Sequence, residues 1–171
     1  VSRDTLFEIA NHSFTHAFEN KYRQFYENPD SAVKDFARCA DSLNLRTNII
    51  RTPGRNIWRT DSSRKTDIKS SEATADSLYA HGFKAIGWDL EWHFNAEQRL
   101  VQSADEMLRE IDSAFARRRT NVPEHLVILA HDQIYANSDD SCSLHTFIDQ
   151  LKQRDSFEFN FISQYPGVAK P

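Results

Sequence analysis

Two histidines four residues apart, His12 and His16, carry the first chemical signal in this sequence. On a helical turn, side chains at positions i and i+4 face the same way, so two neutral imidazole nitrogens can meet at one metal ion. This spacing suits zinc, and the small polar neighbours Asn11 and Ser13 can orient a ring nitrogen. The competing interpretation is a capping or core His12 with a surface His16, so the spacing alone only suggests a metal site.

Reactive side chains also follow three later apolar runs in the chain. They are Arg51, then Asp89, Glu91 and Trp92, and finally His131. Ligand sites of parallel α/β folds lie at the carboxyl ends of the strands, so we expect these side chains to share one rim with the two histidines. There a guanidinium can hold a carboxylate, a histidine can act as a general acid, and a tryptophan can stack on a sugar ring.

Each of these residues also has an ordinary structural interpretation. Arg51 taken alone fits a solvated surface arginine, and His131 follows five apolar residues as a core histidine would. Trp88 and Trp92 fit a hydrophobic core. A functional site is favoured because four successive strand ends carry such residues, whereas any one of them is weak evidence.

The apolar periodicity predicts five strands alternating with four helices. The predicted strands cover residues 6–10, 47–51, 83–90, 126–130 and 157–162. The predicted helices cover residues 30–43, 72–81, 103–119 and 144–151, the third starting with a capping box of Ser103 and Glu106. Residues 60–71 are predicted to form an extended loop. Such alternation is typical of parallel strands joined by right-handed crossovers, which indicates an α/β sheet or barrel.

Composition narrows the class of protein. With 171 residues, 39% of them hydrophobic, we expect a single domain spanning residues 1–171. The net charge is −4, and the basic residues are scattered apart from the run 117–119, so nothing favours a nucleic-acid partner. The longest apolar stretch, residues 126–130, is far shorter than the roughly 20 residues of a membrane-spanning helix. Two cysteines are too few for a disulfide framework.

In order and spacing, four segments of the chain resemble the motifs of the polysaccharide deacetylases, carbohydrate esterase family four, also called the NodB homology domain. Residues 12–16 match its H[ST]xxH motif, residues 51–54 approach RxPY, residues 88–92 resemble its acidic, tryptophan-bearing motif, and residues 129–131 match LxH. The likeness extends from Phe7 to Ile162. It implies an irregular (β/α) barrel, incomplete at its N-terminus in this chain.

The resemblance also implies an activity and a set of roles. The reaction is removal of N-acetyl groups from a polysaccharide or oligosaccharide with a divalent metal, usually Zn²⁺. His12 and His16 bind the metal, and His131 protonates the leaving amine. Leu129 lines the acetyl pocket, and Arg51 orients the catalytic carboxylate.

Two further roles come with the resemblance, and one of them has two candidates. The acidic residue of the fourth motif tunes His131, and either Asp89 or Glu91 fills that place. Trp92 and Gly54 contact substrate. Gly54 stands where the family has tyrosine, so the backbone N–H of an oxyanion hole is kept while the aromatic groove wall is lost.

The first family motif, TFDD, has no counterpart in this chain, and we expect it upstream of His12. It supplies the third metal ligand and the general base, for which Asp139 and Asp140 are poor substitutes that look like a solvated loop. The chain starts at Val1 and its single methionine is Met107, which also leads us to expect upstream sequence. The alternatives are a non-catalytic glycan-binding or degenerate domain and an O-acetyl esterase. The family's usual substrates favour an exported protein.

Overall fold

The protein combines α-helices with small β-sheets, as the sequence predicts at the level of fold class. The computed structural model describes residues 7–168, and these residues form no closed barrel. The helices are α1 (His16–Asn20), α2 (Tyr22–Tyr26), α3 (Pro29–Ser42), α4 (Glu72–Ala80), α5 (Ala104–Ala116) and α6 (Ser138–Lys152). The strands are β1 (Ile49–Ile50), β2 (Ile57–Arg59), β3 (Arg64–Thr66), β4 (Lys84–Ala85), β5 (Leu90–Glu91) and β6 (Ile128–Leu129).

The chain folds into two compact units. Among the described residues, the first unit consists of 7–87 and 160–168, and the second consists of Trp88–Phe159. Each unit has its own hydrophobic core, built around Phe25, Phe36 and Leu78 in the first and around Trp92 and Met107 in the second.

The sheet of the first unit has the strand order β1-β4-β2-β3. β1 and β4 are parallel, as predicted, but β2 is antiparallel to both of its neighbours. The prediction of an extended loop over residues 60–71 is therefore wrong, because Arg64–Thr66 pairs with Ile57–Arg59 as a hairpin. β3 lies at the sheet edge with largely exposed polar side chains, so it shows no apolar alternation that a sequence pattern could reveal.

The first predicted strand is wrong over its described part. Residues 7–10 are in no strand, and Leu6 lies outside the described residues. Phe7 and Ile9 are 62% and 45% exposed, so this apolar run is not buried. Sheet pairing begins one residue later, where the N–H of Asn11 donates to Ile49 and the carbonyl of Asn11 accepts from Arg51.

Three of the four predicted helices lie close to their predicted positions. α3 begins with Pro29 in its first turn and buries Ala32, Phe36 and Cys39, the face that the periodicity indicates. α4 is followed by Gly82, whose φ of 88° is easily adopted only by glycine. α5 starts at the predicted capping box, with Ser103 and Glu106 bonded reciprocally.

The second unit contains the parallel pair β5 and β6, packed with α5 and α6. α6 begins six residues before the predicted 144, because the side chain of Asn137 caps it by accepting from the N–H of Asp140.

The predicted final strand at 157–162 is not formed. Its alternating phenylalanines have separate environments: the Phe157 ring packs on Phe115, whereas Phe159 and Phe161 are exposed. Alternation without a strand to pair with does not make a sheet. No helix within residues 7–168 is long and apolar enough to cross a membrane.

Candidate functional site

The structure brings His12 and His16, called here the histidine pair, into direct contact. Their ring centroids are 5.0 Å apart with an edge-on arrangement. Nδ1 of His12 lies 2.9 Å from the carbonyl oxygen of Arg51, and Nδ1 of His16 lies 2.6 Å from Oδ1 of Asn20. Both partners are acceptors, so each Nδ1 carries the proton and each Nε2 carries the lone pair. This is the tautomer that a metal-binding imidazole uses when its other nitrogen is held by a carbonyl or amide oxygen.

The pair does not sit on the right-handed helical turn that the i, i+4 spacing predicts. Residues 16–20 form one left-handed turn, with φ of 49° at His16 and 56° at Ala17. Left-handed backbone costs a residue other than glycine roughly 1–2 kcal/mol. Two side-chain caps stabilise the turn: Ser13 Oγ accepts from the N–H of Ala17, and Thr15 Oγ1 accepts from the N–H of Phe18.

The donor set of the pair fits two positions of a divalent ion. Two neutral imidazole nitrogens on adjacent rings suit zinc, which takes at least three protein ligands in most catalytic sites. Within residues 7–168, no group of three His, Cys, Asp or Glu side chains is arranged to hold a metal ion. The histidine pair therefore supplies two nitrogen donors, and the described residues do not supply a third ligand.

Helix α3 holds the segment that carries the pair, residues 11–16, called here the histidine loop. The buried Asn11 side chain donates to the carbonyl of Phe36. Asp35 Oδ2 accepts from the N–H groups of Phe14 and Thr15. No sequence motif marks Asp35, although its place on the apolar face of a helix is a signal that such a carboxylate has a specific partner.

A buried thiol lies beside the same loop. Burial raises the pKa of the Cys39 thiol, although a hydrogen bond from the backbone N–H of His12 acts in the opposite direction. Cys39 is one turn along α3 from Asp35, and both side chains face the loop from the same side.

Arg51 and Gly54 lie in the first unit with the histidine pair. Arg51 is half-buried, its guanidinium donates to the carbonyl of Gly87 at 3.3 Å, and its own carbonyl fixes His12. Gly54 is exposed with φ of 60°, and a Cβ there would lie 2.7 Å from the Tyr22 ring. The space next to Gly54 is thus filled by another aromatic ring.

Tyr22 also belongs to the surroundings of the pair, and sequence reasoning missed it. Its ring centroid is 6.3 Å from that of His16, and its hydroxyl donates to the same Asn20 Oδ1 that binds His16. A groove wall was expected to be lost with glycine at position 54. In the structure an aromatic wall at this place comes from α2 instead.

The second unit places His131 next to one of the two acidic candidates. Nε2 of His131 is 3.9 Å from Oε1 of Glu91, and the same oxygen is 3.8 Å from Nδ1 of His93. The Phe94 ring covers His131 edge-on, with centroids 5.2 Å apart. Leu129 of strand β6 is the sheet partner of Glu91. Since His131 follows Leu129 by two residues, this pairing brings His131 near Glu91. His93 was not identified from the sequence.

Asp89 has different partners from Glu91. Its two carboxylate oxygens accept from the N–H groups of Asn121 and Val127, at 2.6 and 2.8 Å. Such contacts fix the connection before β6. The two carboxylates of this segment therefore have distinct surroundings, one facing backbone and one facing two imidazoles.

Trp92 does not form part of an exposed rim. It is 1% exposed, its Nε1 donates to the carbonyl of Gln102, and its ring packs edge-on against Phe147. The expected contact of Trp92 with a sugar ring stays a prediction, and in the described structure the ring packs in the core. Burial also raises the pKa of the nearby Tyr135 to about 12.

Asp139 and Asp140 belong to the first turn of α6, which corrects the expected solvated loop. Arg99 contacts both carboxylates, Asp140 at 2.8 Å and Asp139 at 3.1 Å. Burial acts to raise the pKa of Asp140, but hydrogen bonds from Asn137 and Arg99 outweigh it and keep that pKa below its ordinary value. These two acids stabilise the helix start.

Comparison with known proteins returned no match for this chain, either among protein-family models or among curated proteins.

Proposed function

We propose that this chain carries part of a metal-dependent hydrolase site that removes N-acetyl groups from a polysaccharide or oligosaccharide. The proposed framework is a (β/α) barrel of the polysaccharide deacetylase type. The observation that carries the proposal is the histidine pair, with rings 5.0 Å apart and each Nδ1 held by an oxygen acceptor. Two imidazoles fixed in this tautomer are suited to a divalent cation such as Zn²⁺.

In this proposal, residues of the first unit bind the divalent ion and orient the groups around it. His12 and His16 would hold the ion through Nε2. A divalent ion, when bound, polarises the acetyl carbonyl and makes water more acidic. Arg51 orients a carboxylate, and the backbone N–H of Gly54 stabilises negative charge on the acetyl oxygen. The φ of 60° at Gly54 explains why this donor belongs to a glycine.

In this proposal His131 is the proton donor, the role that the resemblance to the polysaccharide deacetylases implies. Water loses a proton to the carboxylate base that the family's first motif provides and adds to the acetyl carbon, the C–N bond breaks, and His131 gives a proton to the leaving nitrogen, so that acetate and a free amine result. The Glu91 carboxylate lies 3.9 Å from Nε2 of His131, and in this proposal it is the acidic residue that accompanies the proton donor. Leu129 contacts the acetyl methyl group.

The proposal is tested by zinc binding to the 171-residue chain, measured by competition with a chromophoric chelator. We expect one Zn²⁺ per chain and a loss of affinity of about tenfold or more in His12→Ala and in His16→Ala, since each removes a nitrogen donor. His81→Ala is the matched control, because this exposed histidine of the same unit lies on no predicted site. A wild-type chain that binds no zinc contradicts the proposal.

The substrate is tested by measuring acetate release from N-acetylated and O-acetylated oligosaccharides with and without Zn²⁺. Acetate released from the N-acetylated oligomer supports a deacetylase. Release from the O-acetylated oligomer alone would instead identify an esterase with the same site. Oligosaccharide binding that neither zinc nor its removal changes, with no release of acetate, would favour a non-catalytic glycan-binding domain.

A further inference from the structure

Helix α3 contacts the histidine loop at successive positions along one of its faces. The Phe36 carbonyl accepts from Asn11 at 2.8 Å, and the Cys39 thiol accepts from the N–H of His12. The guanidinium of Arg38 lies 3.8 Å from the centre of the Phe14 ring. Helix α3 thus contacts the histidine loop from Asn11 to Phe14, and Phe14 lies two residues before His16.

Asp35 makes the central contact of this set. One of its oxygens, Oδ2, accepts from two consecutive N–H groups, Phe14 at 3.0 Å and Thr15 at 3.2 Å. Asp35 is only 6% exposed, although aspartate is almost never buried without a specific partner. Bonds from N–H groups to a carboxylate are stronger than those to a neutral acceptor, so this contact is suited to fixing a backbone.

Asp35 binds the backbone between the two histidines and therefore affects how they are placed. Phe14 and Thr15 lie between His12 and His16, and the backbone turns into the left-handed region at His16, with φ of 49°. A backbone held at residues 14 and 15 sets where this turn begins. It thereby sets the separation and orientation of the two imidazoles.

We infer that Asp35 is a positioning residue for the histidine pair, which fixes the loop so that both Nε2 atoms are presented to one divalent cation. The inference rests on the proposed function, because it takes the pair to be a metal site. Asp35 itself contacts no metal in this assignment. It acts through the backbone N–H groups of Phe14 and Thr15.

The test compares Zn²⁺ affinity in wild type, Asp35→Asn, Asp35→Ala and Asp35→Glu. Removing a group that orients a metal ligand typically weakens metal binding about 10- to 100-fold, and we expect this loss in Asp35→Ala, with a smaller loss in the isosteric Asp35→Asn. Asp35→Glu keeps the carboxylate and is expected to recover part of the affinity. Asp41→Asn is the matched control, since it removes the same charge from an exposed position of the same helix.

A second readout separates positioning from a merely structural role. The d–d absorption of bound Co²⁺ reports ligand geometry, so we expect its band positions to change in Asp35→Asn and to stay as in wild type in Asp41→Asn. Far-UV circular dichroism checks that each variant is folded, and Asp35→Asn carries the test if Asp35→Ala does not fold. Wild-type zinc affinity and spectrum in Asp35→Asn would overturn the inference alone, whereas absence of zinc binding to wild type would overturn the proposed function as well.

Discussion

The two units hold their histidines in different ways. In the first unit, His12 and His16 each have Nδ1 bonded to an oxygen, at 2.9 and 2.6 Å, on a loop that a helix grips. In the second unit, Nε2 of His131 stands 3.9 Å from Glu91, which is beyond hydrogen-bond distance, at the end of a short strand.

This difference corresponds to two kinds of chemistry. A metal ligand has to keep one ring orientation, and a short hydrogen bond from Nδ1 to an oxygen acceptor holds that orientation and leaves Nε2 for the ion. A general acid has to gain and lose a proton, and the 3.9 Å between His131 Nε2 and Glu91 Oε1 is too long for a hydrogen bond that would hold the ring in one tautomer. We therefore expect separate roles for the histidine pair and His131.

Among the variants that test this expectation, His131→Ala is expected to change the measured quantities most. We expect turnover of an N-acetylated oligosaccharide to fall by about 10²- to 10⁴-fold, the usual contribution of a general acid, with zinc affinity unchanged. Acetate release and chelator competition measure the two quantities. His93→Ala is the control, because His93 flanks the same Glu91 oxygen. Loss of zinc binding in His131→Ala would contradict the separation of roles.

The next effect concerns Trp92, which the sequence places in the site and the structure places in the core. Trp92→Ala is expected to lower the free energy of unfolding by about 3–5 kcal/mol, because it leaves a cavity among Met107, Phe147 and Leu151. Urea denaturation measures this. Trp92→Phe keeps an aromatic ring and should cost less. Weaker glycan binding with unchanged stability would show instead that the ring contacts substrate.

The smallest expected change distinguishes the carboxylate of Glu91, in β5, from that of Asp89, which directly precedes β5. Asp89→Asn is expected to cost about 1–3 kcal/mol of unfolding free energy, because the backbone N–H groups of Asn121 and Val127 lose their charged acceptor. Glu91→Gln should stay within about 0.5 kcal/mol of wild type, since Glu91 is partly exposed, and should lower turnover. Denaturation and acetate release are measured on both variants. The reverse pattern would assign the His131 partner to Asp89.

Local patterns in the sequence predict the helices well. α3, α4 and α5 follow from apolar spacing and from caps such as Ser103 and Glu106, since these signals are contained within a few consecutive residues. The strands are predicted less well, because each has only two or three residues and its existence depends on a partner elsewhere in the chain.

For the candidate site too, the sequence predicts neighbours that are close along the chain and misses partners that are distant along it. The order of the motifs places His12 near His16 and Leu129 near His131, because each pair is close in sequence. The sequence does not identify Asp35 as a partner of Phe14, 21 residues away, or the Arg51 carbonyl as a partner of His12, 39 residues away. It also leaves Asp89 and Glu91 as equal candidates beside His131, although their carboxylates have different neighbours.

The order of residues alone was enough to predict the mixed α/β class and the positions of three helices, and it lists the chemical groups that this protein possesses. The folded structure was needed to show that the turn at His16 is left-handed, that Trp92 is buried, and that Glu91 lies beside His131 while the Asp89 carboxylate accepts from backbone N–H groups. These two groups of features differ in how far apart along the chain the interacting residues lie. Helical spacing and caps act within one or two turns, whereas burial and hydrogen bonding depend on segments that meet only when the chain has folded.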